Sequence, residues 1–201
     1  SFHDKTLQLI GRRHSVRDFY NAYELVRKSR IPVVNVDLII GLPQETEQEI
    51  AYSLEQAVKL APENLTVHTL TLKRSAPLFQ KQEQAVLTTQ AAEKMVQRAA
   101  EMAAAIGLEP YYLYRQHYML GHLANIGYAK PGTESIYNIQ MMEERHPVIG
   151  VGPASASKVP LPDGHHLHKL NMPKNVAVYG ARLQELAERR RDLFNIEGTD
   201  L

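Results

Sequence analysis

Residues 33–61 read VVNVDLIIGLPQETEQEIAYSLEQAVKLA, and two periodicities meet inside them. VVNVDLII (33–40) is rich in β-branched residues and nearly apolar throughout, which predicts a strand buried on both faces, as in a parallel sheet. Gly41, Leu42 and Pro43 close that strand. Thr46 with Glu49 has the spacing of a capping box, and Ile50, Leu54, Ala57 and Val58 then recur on one helical face. The stretch is therefore a strand feeding a capped helix, half of a βαβ unit. One charge does not fit an apolar strand: Asp37. A carboxylate there is either bonded to a neighbouring strand or helix terminus, because an unpaired buried charge costs several kcal/mol, or it faces a crevice and accepts hydrogen bonds from a ligand hydroxyl or amine. Both readings stand on the residues alone.

The pattern repeats outward. Ser15 and Asp18 make a second capping box, followed by Phe19, Ala22, Tyr23 and Val26 at helical spacing, and Pro32 ends that helix before the strand. Downstream, LTVHTLTL (65–72) predicts a strand, TTQAAEKMVQRAAEMAAAIGL (88–108) a long Ala-rich helix stopping at Gly107, and EPYYLYRQ (109–116) a third strand. Helix and strand alternate with short links, which implies right-handed crossovers and a parallel sheet, open or part of a (β/α) barrel, with function at the carboxyl ends of the strands. Beyond about residue 116 the alternation weakens. GHLANIGYAKPGTES (121–135) reads as a Gly-rich loop, SIYNIQMMEER (135–145) as a short helix and HPVIGVGPASASKV (146–159) as a strand-like run. LPDGHHLHKLNMP (161–173) reads as a surface hairpin or loop, and VAVYGARLQELAERRRDLF (176–194) as one basic amphipathic helix. The expected division is residues 1–115 for the alternating units and 116–201 for a smaller α+β segment.

Composition narrows the partners. The 201 residues carry 23 Lys and Arg against 22 Asp and Glu, a balance that gives no broad electrostatic attraction to nucleic acid or an anionic membrane. No apolar run approaches the ~18 residues of a membrane span. The chain has no cysteine, which removes disulfides, thiolate metal sites and a cysteine nucleophile. A cytoplasmic compartment is expected. The chain starts without Met in what reads as the opening of a helix, so a piece of a longer protein is expected.

Several groups could carry chemistry. Arg12, in GRRH before a helix cap, could form a bidentate pair with a ligand carboxylate or serve a solvated turn. Lys73 and Arg74 in TLTLKRSAP, and Arg115 after YYLY, fall just past strand ends, where cations suit a ligand with several carboxylates. Gly150 and Gly152 in GVGPASASK allow close backbone approach, to a ligand or at a tight strand end; neither a dinucleotide fingerprint nor a P-loop is present. His165, His166 and His168 lie near Asp163 between Pro162 and Pro173 in an expected loop, a poorly preorganised setting for a metal, and no metal site is expected.

Taken together, GRRH, NVDLIIGLPQET, PENLTVHTL, YYLYRQ, NIGYAKPGTES and YNIQMMEERHPVIGVGPASASK resemble the oxygen-independent coproporphyrinogen III oxidase (coproporphyrinogen dehydrogenase) family of radical S-adenosylmethionine enzymes. The resemblance spans nearly the whole chain. It implies α/β architecture, namely the C-terminal half of a partial (β/α)6 barrel with parallel strands, followed by a smaller α+β segment. It further implies S-adenosylmethionine and a [4Fe-4S] cluster in the parent protein, a porphyrinogen substrate, an electron donor, and oxidative decarboxylation of coproporphyrinogen III propionates to vinyl groups, giving protoporphyrinogen IX. Carried over by position, Arg12 would meet the carboxylate of S-adenosylmethionine, Asp37 its ribose or adenine side, and Thr71 and Ala156 its adenosine. Lys73, Arg74 and Arg115 are the expected propionate partners. Cluster-binding cysteines are absent, so these residues alone are expected to be inactive. Relatives that act as haem chaperones supply an alternative, with His117 or the 165–168 histidines as axial ligands. An interaction module without cofactor is a third. An exposed sheet edge predicts self-association of the isolated chain.

Overall fold

In the computed structural model, described over residues 1–71, 87–115, 123–164 and 166–195, the chain divides into two compact units, Ser1–Ile139 and Gln140–Leu201. The first opens with helices α1 (Asp4–Leu9) and α2 (Val16–Lys28). Strand β1 (Asn35–Ile40), helix α3 (Glu47–Lys59) and strand β2 (Asn64–Thr69) follow, then helix α4 (Thr89–Ala105) and strands β3 (Glu109–Tyr114) and β4 (Asn125–Ala129). Both expected capping boxes form: Ser15 and Asp18 at α2, Thr46 and Glu49 at α3, each side chain satisfying the other's backbone N–H. At the end of α4, Gly107 takes φ +77 and the N–H of Leu108 reaches back to Ala103 O at 3.0 Å, a Schellman closure that only a left-handed residue completes cheaply.

The sheet runs β1-β2-β4-β3. β1 and β2 are parallel, with Asp37 opposite Thr66, but β4 is antiparallel to both β2 and β3. The expectation of a parallel sheet therefore holds for one pair, and the sheet is mixed. NIGYA lies inside the stretch read as a Gly-rich loop; it is a strand because Leu65 and Val67 on one side and Pro110 and Leu113 on the other give Tyr128 and Ile126 apolar neighbours. With β4 paired into this sheet, the first unit extends to Ile139, beyond the division expected after residue 115.

Nor is β1 buried on both faces. Val36, Leu38 and Ile40 are buried while Asn35 and Asp37 are exposed, the alternation of a strand with one covered face. The covered face joins Leu65, Val67 and Tyr128 and packs on Ile50, Leu54 and Ala57 of α3 and on Ala92, Met95, Ala99 and Ala103 of α4. Small alanines on α4 let its backbone approach the core closely. The other face of the sheet carries Asn35, Asp37, Thr66, His68, Gly127 and Tyr112.

The division between the units falls within helix α5 (Ile136–Glu143). The second unit is built on an antiparallel hairpin of β5 (Ala156–Pro160) and β6 (Leu167–Asn171), followed by helices α6 (Val176–Ala181) and α7 (Leu183–Phe194). The stretch 161–173, read as a surface hairpin or loop, holds only the second strand of this hairpin; the first strand, 156–160, lies before it. The strand-like run at 146–159 is a strand only in its last residues, with Val148 bridged singly to Lys158. The expected single C-terminal helix breaks at Arg182, whose φ of −109° and ψ of 14° leave the helical range. Val159, Leu170, Met172, Leu186 and Leu193 form its core.

Candidate functional site

A cavity of about 490 Å3 opens at the carboxyl ends of β1 and β2, within the size range of small-molecule sites. Three of the expected site residues line it from three elements: Arg12, Asp37 and Thr71. Arg12 is placed by a second Schellman closure. Gly11 takes φ +74, and the N–H of Arg12 bonds Leu7 O at 2.8 Å across the end of α1. Asp4 clamps the same turn by accepting the Val16 N–H at 2.7 Å. Asp37 projects from β1, and Thr71 follows β2, where the Leu70 N–H bonds Ile40 O at 2.9 Å. Phe2, Leu7, Phe19, Val36, Leu38 and Leu42 supply apolar wall, and His14, His68 and Asn125 the remaining polar groups used below. A guanidinium and a carboxylate facing one largely apolar cavity suit a ligand with an anionic end and a hydroxyl-bearing end.

The side chain of Asp37 is 60% exposed, so the puzzle of a charge in an apolar strand dissolves: it stands on the uncovered face. His68 is the largest influence holding its carboxyl below the usual carboxylate range; burial pushes the other way, and the Asn35 amide and Thr66 hydroxyl add to the lowering. His68 Nε2 stands 3.8 Å from Asp37 Oδ1, an ion-pair separation longer than a hydrogen bond. Asn35 Nδ2 donates to the same Oδ1 at 2.6 Å. At the floor, Asn125 Oδ1 accepts the Thr69 N–H at 3.0 Å, tying β4 to the end of β2 beside Thr71.

The other expected residues are distributed differently. Arg115 is exposed at the carboxyl end of β3. Because β4 reverses between them, β1, β2 and β3 all run the same way, so Arg115 lies at the same edge of the sheet as the cavity, three strand spacings or roughly 14 Å from β1. Lys73, Arg74, His117 and His165 lie outside the described residues. Ala156 belongs to β5 of the second unit. Gly150 there approaches the chain itself: a Cβ on it would sit 2.4 Å from Ala156 O, and its N–H bonds Ser157 Oγ at 3.1 Å, which accounts for the glycine as a tight strand end. His166 Nδ1 is 2.6 Å from Asp163 Oδ2, and among the described residues no three His, Cys, Asp or Glu side chains gather as a metal site. Thr66, His68 and Tyr112 were not singled out by the motifs. The signal for Thr66 and His68 was present in β2, where Asn64, Thr66 and His68 alternate with Leu65 and Val67.

No protein-family model matches the chain. In structure it is similar to coproporphyrinogen III oxidase HemN from Escherichia coli, a radical SAM enzyme, with a TM-score of 0.65 at 16% identity over 92% of this chain and 41% of that one. The fold is thus that of part of a radical SAM enzyme. In sequence it is 39% identical over 191 residues to the oxygen-independent coproporphyrinogen-III oxidase-like protein HemZ of Bacillus subtilis, covering 94% of this chain and 38% of that protein. It is 26% identical over 167 residues to the heme chaperone HemW of Escherichia coli, covering 83% of this chain and 40% of that one. The chain belongs to the HemZ- and HemN-like radical S-adenosylmethionine family. It spans about two-fifths of the length of these relatives.

Proposed function

We propose that the chain supplies the S-adenosylmethionine-binding carboxyl-end rim of a radical enzyme of haem biosynthesis that oxidatively decarboxylates coproporphyrinogen III propionates. The observation that carries this is the meeting of Arg12, Asp37 and Thr71 around one cavity from separate elements. These residues fit the methionine cofactor. Arg12 would pair with its carboxylate, Asp37 would accept its ribose hydroxyls, and Thr71 would lie along the adenosine. S-adenosylmethionine supplies the adenosyl group for hydrogen abstraction when bound. A [4Fe-4S] cluster does not fit: its ligands are cysteine thiolates and none of the 201 residues is cysteine. The work of these residues is therefore to bind and orient the nucleoside and, through Lys73, Arg74 and Arg115, to hold substrate carboxylates.

The test is calorimetric titration of the protein with S-adenosylhomocysteine, which keeps the carboxylate and the ribose. Saturable binding that is lost in the Arg12→Met, Asp37→Asn double variant is expected; binding unchanged in that variant would overturn the reading. The similarity to HemW favours a second reading, a haem-carrying role. A Soret shift on haem titration that disappears in His117→Ala supports it, and its absence at micromolar haem removes it.

A further inference from the structure

Glutamate is almost never fully buried unless it is paired, yet Glu45 is 1% exposed. Its placement begins in the chain that leaves the strand of Asp37. Past β1, Pro43 and Gln44 turn the backbone, Gln44 taking φ +62, and the Glu45 N–H closes the turn on Leu42 O at 3.2 Å. The carboxyl then meets the first residues of the chain. Glu45 Oε1 accepts the Ser1 hydroxyl, and Ser1 Oγ in turn accepts the His3 N–H at 3.2 Å. Two further bonds extend the contact along α3. His3 Nε2 lies 3.0 Å from Glu49 O, which as a carbonyl can only accept, and the Phe2 N–H donates to Ser53 Oγ at 3.0 Å. Glu49 and Ser53 follow Glu45 at helical spacing, so residues 1–3 lie as a strap along one face at the start of α3.

What the strap holds is α1. A helix of six residues has little stability of its own, so its place is set by what it packs against and where its ends are tied. At its start residues 1–3 bind α3, and Phe2 is buried edge-on to Phe19 of α2 with ring centroids 5.1 Å apart. At its end stands the Gly11 closure, and from the turn beyond it Arg12 and His14 line the cavity that Asp37 lines from β1. The strap therefore joins the element that carries the guanidinium to the loop that leaves the strand carrying the carboxylate. We infer that Glu45 and Ser53 are positioning residues: through residues 1–3 and α1 they set the reach between Arg12 and Asp37, and with it the length of ligand that fits between them. The identity of that ligand rests on the proposed function, but the strap belongs to the protein. It also accounts for two buried polar side chains, Glu45 and Ser53, neither of which lines the cavity.

Two readouts, one with ligand and one without, test the strap. In the intact protein Glu45→Ala and Ser53→Ala each remove one of its acceptors, whereas Glu45→Gln keeps an acceptor oxygen. Calorimetric titration compares S-adenosylhomocysteine with adenosine, which has no carboxylate to reach Arg12. Each alanine variant should weaken S-adenosylhomocysteine by about two- to ten-fold, the range for one lost hydrogen bond, and leave adenosine unchanged. Glu45→Gln should bind both as wild type does. Hydrogen exchange gives the second readout: the Arg12 and Val16 amides, bonded to Leu7 O and Asp4 Oδ1, should exchange faster in both alanine variants while the β2 amides keep their protection. A general loss of structure would instead weaken both ligands alike and speed exchange throughout. That result overturns the inference, and so does either readout left unmoved in both variants. If Glu45→Ala does not fold, Ser53→Ala decides. If the wild-type protein binds no S-adenosylhomocysteine, the proposed function fails and exchange at Arg12 and Val16 decides the strap.

Discussion

Replacing Glu63 by glutamine should cost stability without touching ligand affinity. Glu63 precedes β2 at the end of the strands opposite the cavity. Its Oε2 accepts from Arg27 Nη1 of α2 at 2.7 Å and from the Val34 N–H at 3.0 Å, and Lys130 Nζ lies 3.8 Å from Oε1. One carboxylate thus ties the end of α2 to the chain entering β1 and to the residue leaving β4. Only 17% of its side chain is exposed, against 30% for Arg27, so solvent screens the pair incompletely. A hydrogen bond to a charged group contributes about 1.5–3 kcal/mol. Glutamine keeps one acceptor oxygen and loses the charge, so a loss of about 1.5–3 kcal/mol is expected, or roughly 1 M in urea midpoint for a typical slope. The pH dependence has a definite sign. Burial pushes the Glu63 carboxyl up, but the Arg27 bond and the Val34 N–H outweigh it and leave it below its ordinary value. Its stabilisation is therefore complete above the ordinary glutamate value and is lost as pH falls through the lowered folded-state value. Urea unfolding of wild type and Glu63→Gln at neutral and acid pH measures both effects. Equal midpoints at pH 7, or a gap that does not shrink in acid, would refute the assignment of Glu63 as this junction.

Thr46→Ala removes the hydroxyl that caps α3 and should destabilise by about 1 kcal/mol in urea unfolding, with Thr46→Ser nearly neutral. His68→Gln removes the largest influence lowering the Asp37 carboxyl. Ligand binding that depends on ionised Asp37 is present above the ordinary carboxylate value and fails as pH drops through the lowered one, so this variant should lose affinity at higher pH than wild type; superimposable pH profiles would contradict it.

Local chemistry made much of this molecule legible in its sequence. Both capping boxes and the Gly107 stop rest on interactions spanning only a few residues, and each formed where its residues stood. What depended on distant partners was hidden. NIGYA gives no strand signal by itself, since its glycine is unfavourable in a strand; only the Tyr112 ring from β3 explains why Gly127 is there. The run around Asp37 looked buried on both faces because Ile39 sits on the polar side beside Asn35 and Asp37, masking the alternation that the fold imposes. The same masking hid the candidate site in part. Arg12 and Asp37 were identified through motifs, whereas Thr66, His68 and Tyr112 gain meaning only from the register that aligns the strands.

The central claim is that Arg12 and Asp37 hold opposite ends of one ligand. Comparing S-adenosylhomocysteine with adenosine in single variants tests it directly. Arg12→Met should weaken S-adenosylhomocysteine while leaving adenosine unaffected, because adenosine has no carboxylate; Asp37→Asn should weaken both. Equal losses for the two ligands in Arg12→Met, or wild-type affinities in Asp37→Asn, would contradict it.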